Sequence, residues 1–205
     1  MKILFLLLSL FLMTPMLHAQ TITYSGTNVG VGSTAPGATV DVQGTVKAIS
    51  FSGYYPYVKV SEREVSGSTG GQAVANTWTN RVLNTIDNDT QSIASLSSNQ
   101  VTLPAGTYLV KVTSPFTNNL SGVQLRLQNI TSSSTLLLGT SGYIIAGSGF
   151  FEYYIAPLSG LITLSTTSTI AVQYDVNGSV NVNDLGVGPA FGTEVFTVAE
   201  FTKIQ

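Results

Sequence analysis

Residues 123–128 read Val-Gln-Leu-Arg-Leu-Gln, and this strict alternation of apolar and polar side chains decides the fold class. Successive side chains of a β-strand point to opposite faces, so the pattern predicts a strand with one buried and one solvated face. Residues 107–112 and 170–176 alternate in the same way. No segment sustains an apolar period of 3.6 residues, and many short strands separated by turns predict an all-β jelly-roll sandwich over residues 54–205.

The last predicted strand, residues 194–201, carries large apolar side chains at both odd and even positions, including Val195, Phe196 and Val198. A strand with one solvated face lacks this pattern. We therefore expect burial on both faces, by the partner sheet on one side and by another subunit on the other.

The N-terminus has the features of a secretory leader. Lys2 precedes an apolar run from Ile3 to Met13, and a small residue, Ala19, lies at the expected exit. A membrane anchor is the alternative, but the run is shorter than the about 20 apolar residues that a spanning helix needs, and Pro15 follows it. We expect a signal peptide, residues 1–19, that is cleaved after export, and no membrane insertion afterwards.

Residues 20–53 are rich in Gly, Ser, Thr and small apolar residues. Val40 and Val42, then Val46 and Ala48, keep a two-residue period around Gly44, which predicts short strands joined by glycine turns. Too few large side chains are present for an independent core, so we interpret the segment as a β stalk that serves trimerisation or attachment.

The composition excludes several functions. The chain has no Cys, and its one His, His18, lies in the predicted leader, so His- and Cys-based nucleophiles and ordinary zinc sites are absent from the exported part. With 8 basic and 10 acidic residues the chain is weakly acidic, which disfavours nucleic acid as a partner. We expect no cofactor and no enzyme activity.

Paired carboxylates are the remaining catalytic candidates. Glu62 and Glu64 are two residues apart, on one face of a predicted strand, and such a pair can support glycoside hydrolysis. The simpler interpretation, which we favour, is a solvated face with Arg63 between them.

No metal is expected, although two acidic clusters are weak calcium candidates. Their carboxylates are those of Asp87, Asp89, Asp175 and Asp184. The second cluster, which begins at Asp175, departs from a calcium loop because Gly178 comes at the fourth position and not the sixth. Asn177-Gly178 is more simply a hairpin turn.

Aromatic side chains supply the candidate binding surface. Residues 143–145 and 150–155 flank a glycine-containing tip and predict a hairpin. One face of that hairpin must meet a subunit, a ligand or water, because a single core needs only the other. The candidate ligand-binding residues are Tyr143, Phe150, Phe151, Tyr153 and Tyr154. Trp78, the only Trp, is predicted to lie in the core, with a sugar-stacking platform as the alternative.

Two stretches resemble known families. Residues 28–48, with Asn28-Val-Gly30-Val-Gly32 and Val40-Asp41-Val42, resemble a segment that precedes trimeric β modules in bacterial surface proteins and phage tail fibres. A tail fibre assembles in the cytoplasm and needs no leader, so the leader favours a secreted or cell-surface role.

The second resemblance covers most of residues 57–205. Trp78 and Arg81, residues 98–108 with Gly106-Thr-Tyr108, residues 125–131 and residues 191–195 resemble bacterial and phage members of the jelly-roll superfamily of tumour necrosis factor and the complement C-one-q head. The resemblance implies a homotrimer that binds ligands and does not catalyse.

Together these features predict an exported, trimeric, adhesin-like or receptor-binding head on a short stalk, with a glycan or a cell-surface receptor as ligand. The alternatives are a purely structural surface spike or matrix component and a carboxylate-dependent glycan-active enzyme.

Overall fold

A computed structural model of the chain describes residues 22–44, 55–117, 120–144, 153–178 and 180–205. Every regular element in these ranges is a β-strand, which confirms the all-β prediction. The same ranges contain no helix long and apolar enough to cross a membrane. The chain divides into two units, Met1–Gly53 and Tyr54–Gln205, which are described separately.

The first unit contains a three-stranded sheet of β1 (Ile22–Ser25), β2 (Asn28–Val31) and β3 (Val40–Val42). β1 and β2 form an antiparallel hairpin, and β3 runs parallel to β2. The Asp41 carboxylate holds the connection between β2 and β3 by accepting hydrogen bonds from the Ser33 hydroxyl and the Gly37 N–H, each 3.1 Å long. The predicted strand around Val46 and Ala48 lies outside the described residues.

Glycine is required near the end of β2 and at the start of this connection. A Cβ on Gly30 would lie 2.5 Å from the carbonyl oxygen of Ser33, and Gly32 has a φ of +74°, which disfavours other residues. The larger apolar side chains of the sheet are mostly exposed, so this unit has little core of its own.

In the described residues of the second unit, twelve strands form two sheets. Their bounds are β4 Tyr57–Glu64, β5 Thr79–Asn80, β6 Thr85–Asp89, β7 Ser95–Ser97, β8 Gln100–Leu103, β9 Gly106–Thr117, β10 Leu120–Asn129, β11 Ser134–Leu138, β12 Gly142–Tyr143, β13 Tyr153–Leu164, β14 Ser168–Gly178 and β15 Glu194–Lys203.

The strand pairing is that of a jelly roll. A five-stranded sheet has the order β13-β9-β15-β4-β6, and the second sheet has the order β11-β10-β14-β8-β7, with β12 beside β10 and β5 beside β14. The long strands pair in nested fashion, β4 with β15, β8 with β14, β9 with β13 and β10 with β11, so the first strand of the roll meets the last. This nesting confirms the predicted jelly-roll sandwich.

The core lies between the two sheets, and the alternation at residues 123–128 puts the predicted side chains into it. Val123, Leu125 and Leu127 are buried, while Gln124 and Arg126 lie on the outer face. Tyr108 and Tyr174 are among the largest buried side chains; the Tyr108 hydroxyl donates a 2.8 Å hydrogen bond to the Pro104 carbonyl, so its burial leaves no polar group unpaired.

The last strand is buried on both faces around Phe196 and Thr197, as predicted, but this chain itself supplies the cover there, and the expected subunit contact stays a prediction. β15 carries a bulge between Val195 and Val198, and this register shift breaks the alternation. Within the bulge, Phe196 packs against the chain's own Gly186, where a Cβ would lie 2.5 Å from the ring, while Val195 is exposed. Phe196 therefore needs no second subunit to cover it.

Candidate functional site

The predicted aromatic residues divide between the two sheets. Tyr143 lies in β12, which pairs with β10, whereas Tyr153 and Tyr154 open β13, which pairs with β9. The described parts of the expected hairpin therefore do not pair with each other. Residues 145–152, including Phe150 and Phe151, lie outside the described residues.

The three described tyrosines have different surroundings. Tyr143 and Tyr153 are exposed, whereas Tyr154 is half-buried against the core. The Tyr154 ring occupies the space beside Gly142, where a Cβ would lie 2.5 Å from it. As binding residues, all of them remain predictions.

A polar pocket of about 280 Å³ opens on the outer face of the sheet that contains β10 and β14. Gly122, Gln124 and Ser141 line one side of it, and Asn76, Asp175 and Asn177 line the other. Gly122 leaves room for the Asn177 side chain, whose Oδ1 accepts a hydrogen bond from the Gly122 N–H. The pocket is therefore shaped by a missing side chain on one strand and a polar side chain on the next.

Sequence reasoning named Asp175 and Asn177 from this pocket, Asp175 as a calcium candidate and Asn177 as part of a hairpin turn. The alternation of β10 and β14 places Gln124 and Asp175 on the outer face, so their exposure was predictable. Their proximity was not, because it depends on the pairing register of two strands about fifty residues apart, which brings Gln124 opposite Asp175.

The outer face of the other sheet carries an apolar strip. Along β9 and β13 the residues directly opposite each other include Leu109 with Leu161 and Pro115 with Ile155. We define the apolar strip as the outward side chains Leu109, Leu161, Pro157, Ile155 and Tyr153. Leu109 is 50% exposed and Leu161 59% exposed, and a groove of about 230 Å³ runs between the two strands. An apolar surface of this kind is typical of a contact with a partner.

Charged side chains cross the same face beside the strip. Glu200 of β15 lies between Lys111 of β9 and Lys59 of β4 in the strand register. The Tyr57 hydroxyl donates a 2.7 Å hydrogen bond to Glu200. Partial burial, together with this hydrogen bond to a carboxylate, raises the pKa of Tyr57 to about 12. One half of the face is thus apolar and the other polar.

Glu62 does not lie on the solvated face predicted for it. It is buried, and its carboxylate accepts a 2.7 Å hydrogen bond from Nη2 of Arg81, which is also buried. Arg81 Nε donates to the Thr197 hydroxyl at 2.6 Å. Burial raises the pKa of Glu62 and lowers that of Arg81, while the charge of each partner opposes the shift of the other.

The carboxylate pair therefore lacks the arrangement needed for glycoside hydrolysis. Glu62 is enclosed by Arg81 and the core, and Glu64 accepts a hydrogen bond from the Asn84 amide. Because Glu62 is buried and ion-paired with Arg81, its carboxylate is closed to a substrate that contacts Glu64.

The four calcium candidates have separate environments. Asp87 forms a 2.7 Å ion pair with Arg63, and Asp89 accepts hydrogen bonds from the N–H groups of Ile93 and Ala94. Asp184 is buried and accepts from two further backbone N–H groups, and Asp175 lines the pocket. Within the described ranges no three acidic or His side chains converge on a metal position.

Trp78 lies outside the core cluster and is half-buried, so the prediction of a core position was wrong. The reason is its register. Asn80, opposite Gln173 on β14, faces outward, and Trp78, two residues earlier, shares that face. The Arg126 guanidinium lies 4.3 Å from the centre of the Trp78 ring, a cation–π contact.

Comparison with known proteins finds matches in structure only. No protein-family model matches the chain, and no curated protein matches its sequence. Among solved structures, murine APRIL matches at 12% identity with a TM-score of 0.46, over 74% of this chain and 100% of that chain.

Two further structures match to a similar degree. The globular domain of zebrafish complement 1qA protein has 13% identity and a TM-score of 0.47, over 74% of this chain and 98% of its own. The Eiger TNF of S. frugiperda has 14% identity and a TM-score of 0.49, over 73% of this chain and 94% of its own. The assignment of the jelly roll rests on the strand order described above.

Proposed function

We propose that the chain is an exported, non-catalytic binding head that assembles as a homotrimer on a short β stalk, with an adhesin-like or receptor-binding role. One observation carries the proposal: the two outer faces of the sandwich differ in chemistry. One has the apolar strip, and the other has a polar pocket beside an exposed tyrosine.

Self-association is assigned to the apolar strip. Covering its side chains removes apolar surface from water, which is the main favourable term in association. The adjacent row of Lys59, Glu200 and Lys111 supplies both signs of charge and so can fix the orientation of a second copy. The number three comes from the resemblance of the sequence to trimeric jelly-roll heads.

Ligand binding is assigned to the face that the strip leaves free. Because the strip lies on the five-stranded sheet and the pocket on the other, self-association on the first face leaves the pocket open to a ligand. Export follows from the leader at residues 1–19, and attachment from the stalk at residues 20–53.

A purely structural spike is the second candidate. It shares the trimer and the stalk, and it differs in having no ligand for the pocket. The enzyme alternative loses its basis, because Glu62 is engaged with Arg81 inside the sandwich.

Two experiments test the proposal. Light scattering after size exclusion at micromolar concentration is expected to give three times the mass of the mature chain, and the melting temperature is expected to rise with protein concentration. The purified assembly is then incubated with whole cells and with a glycan array, where a binding head gives reproducible, saturable signal.

The outcomes separate the candidates. A monomeric mass contradicts the assembly and with it the proposed function. A trimer that binds neither cells nor glycans supports the structural spike instead.

A further inference from the structure

We infer that the pocket at Gly122 binds one neutral sugar residue of a glycan, with the Asp175 carboxylate and the Tyr143 ring as its principal contacts. This inference rests on the proposed binding function and specifies its ligand. It assigns a role to a group of residues that the sequence did not connect.

The strand register brings the pocket together. Residues directly opposite each other in a sheet point to the same face, and Gly122 lies between Tyr143 of β12 and Asn177 of β14. In the next row, Gln124 lies opposite Asp175. The Asn177 side chain reaches over Gly122, so amide and carboxylate groups line the pocket, and the register places Tyr143 on the same face on the other side of Gly122, next to the lining residues.

The polar groups of the pocket have bonding capacity to spare. The Asp175 carboxylate forms no hydrogen bond or ion pair with any described residue, so its oxygens can accept from a ligand. Asn177 uses Oδ1 for the Gly122 N–H, which leaves its Nδ2 to donate, and Gln124 uses Nε2 for the Gly139 carbonyl, which leaves its Oε1 to accept. Donors and acceptors together match sugar hydroxyls, which both donate and accept.

Tyr143 supplies the apolar contact. Its side chain is 72% exposed in β12, beside the pocket rather than within the core. A solvent-exposed aromatic face next to hydrogen-bonding groups suits the C–H face of a pyranose ring, which is apolar while its rim is polar.

Charge and size narrow the ligand class. Asp175 is the one charged residue among the described residues that line the pocket, so an acidic sugar meets repulsion and a neutral sugar does not. A volume of about 280 Å³ is at the lower end of small-molecule sites, which span about 300–1,000 Å³, and so suits a single residue.

The test uses the purified exported protein and five probes: the methyl glycosides of glucose, galactose, mannose, N-acetylglucosamine and glucuronic acid. Saturation-transfer NMR and calorimetric titration measure binding, with and without EDTA. We expect at least one neutral glycoside to bind, independently of EDTA, and the glucuronide to bind at least about tenfold more weakly.

Four variants test the assigned contacts. Asp175→Asn and Tyr143→Ser are each expected to weaken binding about tenfold or more, whereas Tyr143→Phe retains it because the ring remains. Gly122→Ala places a Cβ 2.8 Å from Asn177 Oδ1 and is expected to weaken binding as strongly. Tyr55→Ser, which changes a tyrosine that is 53% exposed and lies outside both the pocket and the apolar strip, is the matched control and leaves affinity unchanged.

The inference is overturned if no neutral glycoside binds, if the glucuronide is preferred, if EDTA abolishes binding, or if Asp175→Asn and Tyr143→Ser bind as the unchanged protein does. These failures differ from failure of the proposed function, which shows as a monomeric mass or as a lack of cell binding by the assembled protein.

Discussion

Replacing Leu109 and Leu161 together by Ser removes the two leucines of the apolar strip. Their side chains are 50% and 59% exposed, so about half of each remains to be covered by a neighbour. Full burial of a Leu side chain contributes about 1.5–3 kcal/mol, and covering the exposed half therefore contributes about 1 kcal/mol. Six such side chains in a trimer give about 6 kcal/mol, or an association constant about 10⁴-fold lower in the variant.

Sedimentation equilibrium over a wide concentration range measures this change. We expect the Leu109→Ser/Leu161→Ser variant to dissociate to monomers at concentrations where the unchanged protein remains trimeric. Each monomer is expected to retain its fold, because both side chains point away from the sandwich core. Leu138→Ser, which alters a leucine 61% exposed on the other sheet, is the control. If the control dissociates and the double variant does not, the strip is not the interface.

Three further predictions concern stability. Arg81→Met is expected to lower the free energy of unfolding in urea by about 3–5 kcal/mol, because it leaves Glu62 buried and unpaired. Adding Glu62→Leu is expected to restore most of this free energy. A double variant no more stable than the single one contradicts the prediction. Trp78→Ala is expected to cost only about 1–2 kcal/mol, since the ring is half-buried; a loss above about 3 kcal/mol would indicate a core role. The folded pKa of Tyr57 is raised to about 12, so the stability that Tyr57 contributes is present below the unfolded pKa of about 10 and is lost as pH rises through 12. Tyr57→Phe is therefore expected to flatten the decline of the unfolding free energy between these pH values. The decline that remains is due to Tyr108, because burial raises its pKa to about 12 as well.

The fold was predictable because it depends on a local pattern. The alternation at residues 123–128 has the period of a strand, and the same residues enter the core of the structure. The absence of a helical period in the sequence then left a sandwich or jelly roll as the consistent architecture. The strand pairing itself was implied only by the resemblance.

The positions that were predicted wrongly depend on long-range register. Glu62 follows the period of its strand into the core, because Val58, Val60 and Glu62 share a face, and it is accommodated there by Arg81, nineteen residues away. Phe196 lies in a bulge that no local pattern indicates, and a loop of the same chain covers it. A charged residue in a core and a bulge in a strand both require the partner to be known.

The candidate pocket shows the same limit. Tyr143, which the register places beside the pocket, was singled out from the sequence, but its expected companions on a hairpin were not the residues that lie next to it. Gly122 carries no chemical signal of its own, and its importance follows from its position between Tyr143 and Asn177.

Native mass spectrometry of the protein recovered after export from a bacterial host tests the central claim most directly, since it counts the chains and weighs each one. The account predicts an assembly of three identical chains, each lacking residues 1–19 and beginning at Gln20. A monomer at micromolar concentration, or an exported chain that retains Met1, would contradict it.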